Sequence, residues 1–149
     1  MSENQATAKS RTPWHLWVVG VLAFLWNSMG AFDYVMTETR NEGYMSQFTP
    51  EQLEYFYGFP AWVVALWAIA VWGGVLGAIL LLLRKRFAAG VFLVSFLAMV
   101  GTTFHNFVLS NGLEAIGDPF ALVFSAVIFV FALLLYVYAR AMRNRGVLV

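Results

Sequence analysis

Asp33 and His105 are the residues whose chemistry stands out, because both are ionisable and both fall within long apolar runs. An ionisable group in hydrocarbon is costly, so each needs a partner or a wet cavity. Polar and small residues recur around them at helical spacing. Ala23, Asn27, Gly30 and Tyr34 share one helical face; Ser95, Ala98, Thr102, His105 and Asn106 mark another. At a rise of 1.5 Å per residue, Asp33 stands about 28 Å and His105 about 27 Å from the basic ends of their runs, at similar depth. A carboxylate opposite an imidazole would make an ion pair or a proton-responsive switch. Asp33 lies about 120° off the Asn27–Tyr34 face at 100° per residue, so a meeting with His105 requires a bend or an unwound helix end. The simpler alternative is a hydrated Asp33 at headgroup level and a His105 bonded to a neighbouring helix. Asn27, Asp33, Tyr34, Thr102, His105 and Asn106 together form the candidate polar site.

Other catalytic chemistry is sparse. The chain has no Cys, which excludes disulfides, thiolate metal sites and thiol nucleophiles. His15 and His105 fall near opposite faces of the bilayer, with no carboxylate at HExxH-like or facial-triad spacing, so no metal site is expected. There is no P-loop, dinucleotide fingerprint or nucleophile elbow. Glu51 and Glu54 have no dry pocket to perturb them and read as solvated. The sequence predicts no enzyme, no cofactor and no nucleic-acid partner.

The elements that position these residues follow from composition. Of 149 residues, 61% are hydrophobic and 11% charged, against roughly 45–50% and 25% in a soluble domain. Four apolar stretches, about 14–36, 59–83, 87–109 and 119–138, meet the roughly 20 residues needed to cross a bilayer. The expected fold is all-α: a four-transmembrane-helix bundle in one domain, 13–140, between a disordered polar tail at 1–12 and a basic tail at 141–149. Lys9, Arg11, Arg84, Lys85, Arg86, Arg140, Arg143 and Arg145 fall in the two tails and the second connection; Arg40 is the exception. The positive-inside rule therefore puts both termini in the cytoplasm. Glu38, Glu42, Glu51, Glu54, Glu114 and Asp118 gather in or beside the outer connections. Lys9 and Arg11 before an apolar run also resemble a secretory leader, with Ser28-Met29-Gly30 as a cleavage site. The run continues through Met36, and the first span is expected to be retained.

The Arg84-Lys85-Arg86 turn is short enough to make spans two and three an antiparallel hairpin. There is no internal repeat. In the first outer connection, Thr49 can cap a helix, Pro50 suits its first position, and Leu53, Phe56 and Tyr57 share a face. A short amphipathic helix on the outer surface is expected, ended by Gly58-Phe59-Pro60. Gly73 and Gly77 have GxxxG spacing, which predicts close helix packing within the chain, or alternatively a homodimer face. Trp14, Trp17, Trp62, Trp67 and Trp72 read as interfacial belt or packing residues.

Leu25–Asn27, Gly30–Thr37, Thr39–Glu42, Phe48–Leu53 and Phe59–Trp62 resemble a family of small four-span bacterial inner-membrane proteins. The likeness covers the first two spans and their connection, and the second half in hydropathy. Members commonly carry a sugar-transporter label, so the resemblance implies a bacterial inner-membrane protein that moves a small solute. The residues themselves point first to an accessory or assembly subunit held in the lipid bilayer, as a homo-oligomer or within a larger membrane complex. The alternative is an oligomeric small-solute or proton-linked transporter using the candidate polar site.

The expected orientation is open to direct test. Alkaline phosphatase fused after residue 45 or 115 should be active, and after residue 85 or 145 inactive. The mature protein should begin ahead of Ser28. The opposite fusion pattern would overturn the orientation.

Overall fold

The computed structural model describes residues 12–109 and 119–149. The polar stretch 1–11 and the connection 110–118, with Glu114 and Asp118, lie outside the described residues. Helix α1 spans Trp14–Glu38, α2 Glu42–Met45, α3 Pro50–Tyr57, α4 Ala61–Leu82, α5 Phe87–Phe104 and α6 Pro119–Asn144; a π turn, His105–Leu109, continues α5. Trp14–Glu38, Ala61–Leu82, Phe87–Leu109 and Val123–Asn144 are each long and apolar enough to cross a membrane. The chain is thus all-helical among the described residues, with four candidate membrane spans.

Helix α4 is the centre of the bundle, packed along both α1 and α5, and α5 in turn packs along α6. Aromatic rings link α6 to α1: Trp26 stands 6.0 Å from Phe124 and 5.0 Å from Phe131. Small residues make the close approaches. A side chain on Gly77 would stand 2.7 Å from the Phe92 ring, and one on Gly20 2.5 Å from Leu82. Gly74 faces Asn27, and Gly73 faces Ser95 across the α4–α5 seam. Gly73 and Gly77 therefore both bring α4 against α5. At the same seam Ser95 Oγ donates to the Ala70 carbonyl at 2.5 Å, a bond that lipid cannot replace.

The tightest packing lies towards the 83–86 turn, the basic end of the bundle. Leu16, Ala78, Leu81, Ala88, Ala89, Phe92, Ala139 and Met142 are buried there. Elsewhere large apolar side chains face outward from every span, including Leu22, Leu76, Leu97 and Leu134. A lipid solvent imposes that pattern, because burial between helices gains nothing over burial in acyl chains.

Helix α6 runs on to Asn144, past the Tyr138 limit suggested by hydropathy alone. Ala139 and Met142 stay on the buried face while Arg140 and Arg143 are exposed, so the extra turns are amphipathic. The chain then folds back. Val147 and Leu148 are each 3% exposed. The Val149 N–H donates to the Arg84 carbonyl at 2.9 Å, and the Arg86 N–H to the Val149 backbone oxygen at 3.3 Å. The stretch expected to be a basic tail thus contributes apolar side chains to the basic-end core.

Helices α1, α4 and α6 end alike. In each, a residue with left-handed backbone follows the cap: Arg40 (φ 52°), Arg84 (φ 57°) and Gly146 (φ 77°). Its N–H bonds back three residues and the next N–H five, which satisfies the carbonyls a helix end leaves open. For an arginine the left-handed conformation costs roughly 1–2 kcal/mol that glycine avoids. Arg40 lies 4.2 Å over the Tyr57 ring, and Arg84 Nη1 donates to Thr12 Oγ1 at 2.8 Å.

The contrast between two glycines of the α4–α5 hairpin gives a stability test. Gly77→Ala drives a methyl into the Phe92 ring and should destabilise by about 1–3 kcal/mol. Gly90 has nothing within 4 Å of an added Cβ, so Gly90→Ala should be neutral or stabilising by up to about 1 kcal/mol through helix propensity. Unfolding measured in bicelles separates the two.

Candidate functional site

The connection between α1 and α4 folds down onto the ends of the spans. Its shape begins locally. Asn41 Oδ1 accepts from the Tyr44 N–H at 3.0 Å and starts α2. At α3, Thr49 Oγ1 accepts from the Gln52 N–H while Gln52 Oε1 accepts from the Thr49 N–H, a reciprocal capping box with Pro50 in the first turn. These caps direct Tyr44, Phe48, Tyr55 and Phe56 inward, while Glu42, Glu51 and Glu54 stay exposed.

Two tyrosines pin the connection to the bundle. Tyr44 Oη donates to Asp33 Oδ1 of α1. Tyr55 Oη donates to Asn106 Oδ1 at 3.0 Å. Asn106 Oδ1 also stands 3.1 Å from Nδ1 of His105. An amide oxygen only accepts, so this contact places the ring proton on Nδ1. His105 is itself only 8% exposed. It meets Phe59 at 5.8 Å and Trp62 at 5.4 Å, edge to face in both cases. From Phe59 the ring contacts continue to Tyr55 at 5.2 Å and Trp67 at 6.1 Å, and from Trp67 to Tyr34 at 4.9 Å. Each such pair is worth about 0.5–1.5 kcal/mol beyond the area it buries. The result is an aromatic cap over the loop end of the spans, with one imidazole and one amide inside it.

The candidate residues divide three ways. His105, Asn106 and Tyr34 join this cap. Asp33 takes its bond from Tyr44, so carboxylate and imidazole have separate partners and no bond between them. Asn27 and Thr102 lie away from both. Asn27 Nδ2 donates to the Ala23 carbonyl at 2.8 Å, and Thr102 Oγ1 to the Met99 carbonyl at 2.8 Å, so each is satisfied by its own helix. His15, at the other end, shares a 2.5 Å hydrogen bond with Tyr138 through Nδ1. No group of three His, Asp or Glu able to hold a metal occurs among the described residues.

Tyr44, Tyr55, Phe59, Trp62 and Trp67 are the site residues that spacing did not single out. Their signal is density: Tyr44, Phe48, Tyr55, Phe56, Tyr57, Phe59 and Trp62 crowd one short stretch. An amphipathic α3 with glutamates on the far side requires its aromatic face to be covered, and the ends of the spans provide the cover.

No family model, curated protein or solved structure matches the chain. The site is therefore read from its own geometry.

Tyr44 is the titrating group that reports on this geometry. Burial, then the hydrogen bond to Asp33 and the charge of its carboxylate, push its phenol up to about 12 from 10.0. A raised phenol favours the neutral form in the fold, so its contribution is complete below pH 10 and is lost as pH rises from 10 towards 12. Absorbance titration should show one tyrosine ionising near 12 that disappears in Tyr44→Phe. In Asp33→Asn that step should move only part of the way back, because burial is the larger cause.

Proposed function

We infer that the protein is a non-enzymatic accessory or assembly subunit of a larger membrane complex in the bacterial inner membrane. Both termini face the cytoplasm and the α2–α3 connection faces outward. One observation carries the reading: the connection is bonded down by Tyr44–Asp33 and Tyr55–Asn106 as a fixed platform, with Glu42, Glu51 and Glu54 exposed on it. A platform held by half-buried phenols presents its acidic face in one orientation, which suits a partner with a basic surface. The polar side chains within the spans support the same reading. Asn27, Ser95, Thr102 and Thr103 each bond a helix carbonyl, so their donors serve packing.

A second reading, an oligomeric proton-linked or small-solute transporter, draws on the π turn at His105–Leu109. Such turns occur often at functional sites, and this one sets a buried imidazole and an amide under the aromatic cap.

Purification in mild detergent discriminates between the two. The accessory reading expects a stoichiometric partner that Glu51→Lys/Glu54→Lys releases while the bundle stays folded; a lone monomer or homodimer would overturn it. The transport reading expects solute or proton flux in proteoliposomes that Asp33→Asn or His105→Ala abolishes. Unchanged flux in both variants would overturn that one.

A further inference from the structure

Two hollows meet on the flank of the α4–α5 hairpin near the basic end. The first, about 410 Å³, is lined by Arg86, Phe87, Gly90 and Arg143. The second, about 600 Å³, is an apolar groove between Ile69, Trp72, Gly73 and Leu76 of α4 and Phe87, Gly90, Val91 and Val94 of α5. Phe87 and Gly90 line both, so the cationic mouth opens into the groove. We propose that this pair of hollows is a binding site for one anionic phospholipid, its phosphate between Arg86 and Arg143 and an acyl chain along the α4–α5 groove.

Charge complementarity argues for an anion at the mouth. Arg86 and Arg143 come from different elements, the turn before α5 and the last turn of α6, and both are exposed. Arg84, Lys85, Arg140 and Arg145 surround them in sequence, whereas the described acidic side chains, Asp33, Glu38, Glu42, Glu51 and Glu54, belong to the other end. Basic pockets between spans are the usual sites for anionic headgroups. The groove argues for an acyl chain. Because α4 and α5 run antiparallel, the groove extends from Phe87 beside the turn to Ile69, 13 residues from the end of α4 at Leu82, about 20 Å along the bundle, a path that an extended acyl chain can follow inward from its headgroup. A spanning helix of a partner would need about 30 Å of groove. Gly90 keeps the junction open, since a side chain there would meet nothing within 4 Å. The Arg86 guanidinium lies 5.8 Å over the Phe87 ring, which holds the cation at the mouth.

The test is native mass spectrometry of the full chain released from detergent, with phosphatidylglycerol or phosphatidylcholine of identical chains added. The wild type should bind one phosphatidylglycerol about tenfold tighter than phosphatidylcholine, as expected for two arginines at a headgroup. Arg86→Gln/Arg143→Gln should bring the two lipids to parity. Lys85→Gln/Arg140→Gln, which removes the same charge away from the mouth, should keep the preference. Gly90→Leu should weaken both lipids several-fold and leave their ratio unchanged. Equal binding of the two lipids by the wild type would overturn the proposal. So would equal loss of preference in the two charge variants, or undiminished binding in Gly90→Leu. Displacement of the lipid by millimolar inorganic phosphate would reassign the mouth to a free anion, and a dimer abolished by Gly90→Leu would assign the groove to a second copy.

Discussion

In hydrocarbon no water stands ready to satisfy a polar group, so every donor and acceptor at membrane depth must be met by the protein itself. That constraint decides most of what is specific in this bundle. No buried side-chain nitrogen or oxygen among the described residues lacks a partner. Asn27 and Thr102 bond carbonyls of their own helices, Ser95 bonds a carbonyl of α4, and Asn106 is shared between a tyrosine and a histidine. Each bond fixes a rotation of one helix relative to another, or of a side chain against its own backbone. The apolar contacts around them would tolerate several arrangements.

Where polar groups are few, close approach does the remaining work. Dispersion between helices falls off steeply with any gap, so removing side chains at Gly20, Gly74 and Gly77 strengthens the contacts of what remains. Gly74 and Asn27 show the two principles acting together, since the space left by the missing side chain is filled by an amide whose donor is already bonded to Ala23. The two ends of the bundle differ accordingly. Alanine and glycine dominate the basic end, while rings dominate the loop end.

Much of this was legible in the sequence. The four spans follow from runs of apolar residues long enough to leave no competing fold, and the start of α3 follows from Thr49, Pro50 and Gln52 acting within one turn. Periodicity also marked His105 and Asn106 as a polar face. What it lacked was distance information across the chain. Tyr55 and Asn106 are 51 residues apart, and no local pattern announces their hydrogen bond. Asp33 and His105 have matching depths, yet depth along a helix says nothing of rotation about it, and the partner of Asp33 turned out to be a tyrosine in the connection. The return of Val147 and Leu148 was hidden for another reason. A short apolar end after three interspersed arginines looks like a tail until Val147 and Leu148 are seen to share a buried cluster with Ala88 and Ala89 of α5.

Arg84 occupies a position where glycine would relax the backbone, and it also supplies one of the positive charges that a membrane sorts to one side. Its φ angle marks the place where α4 stops coiling, and its charge is of the kind that the positive-inside rule counts. Because both features sit on one side chain, a change that eases the turn, such as Arg84→Gly, also removes one of the three positive charges at residues 84–86.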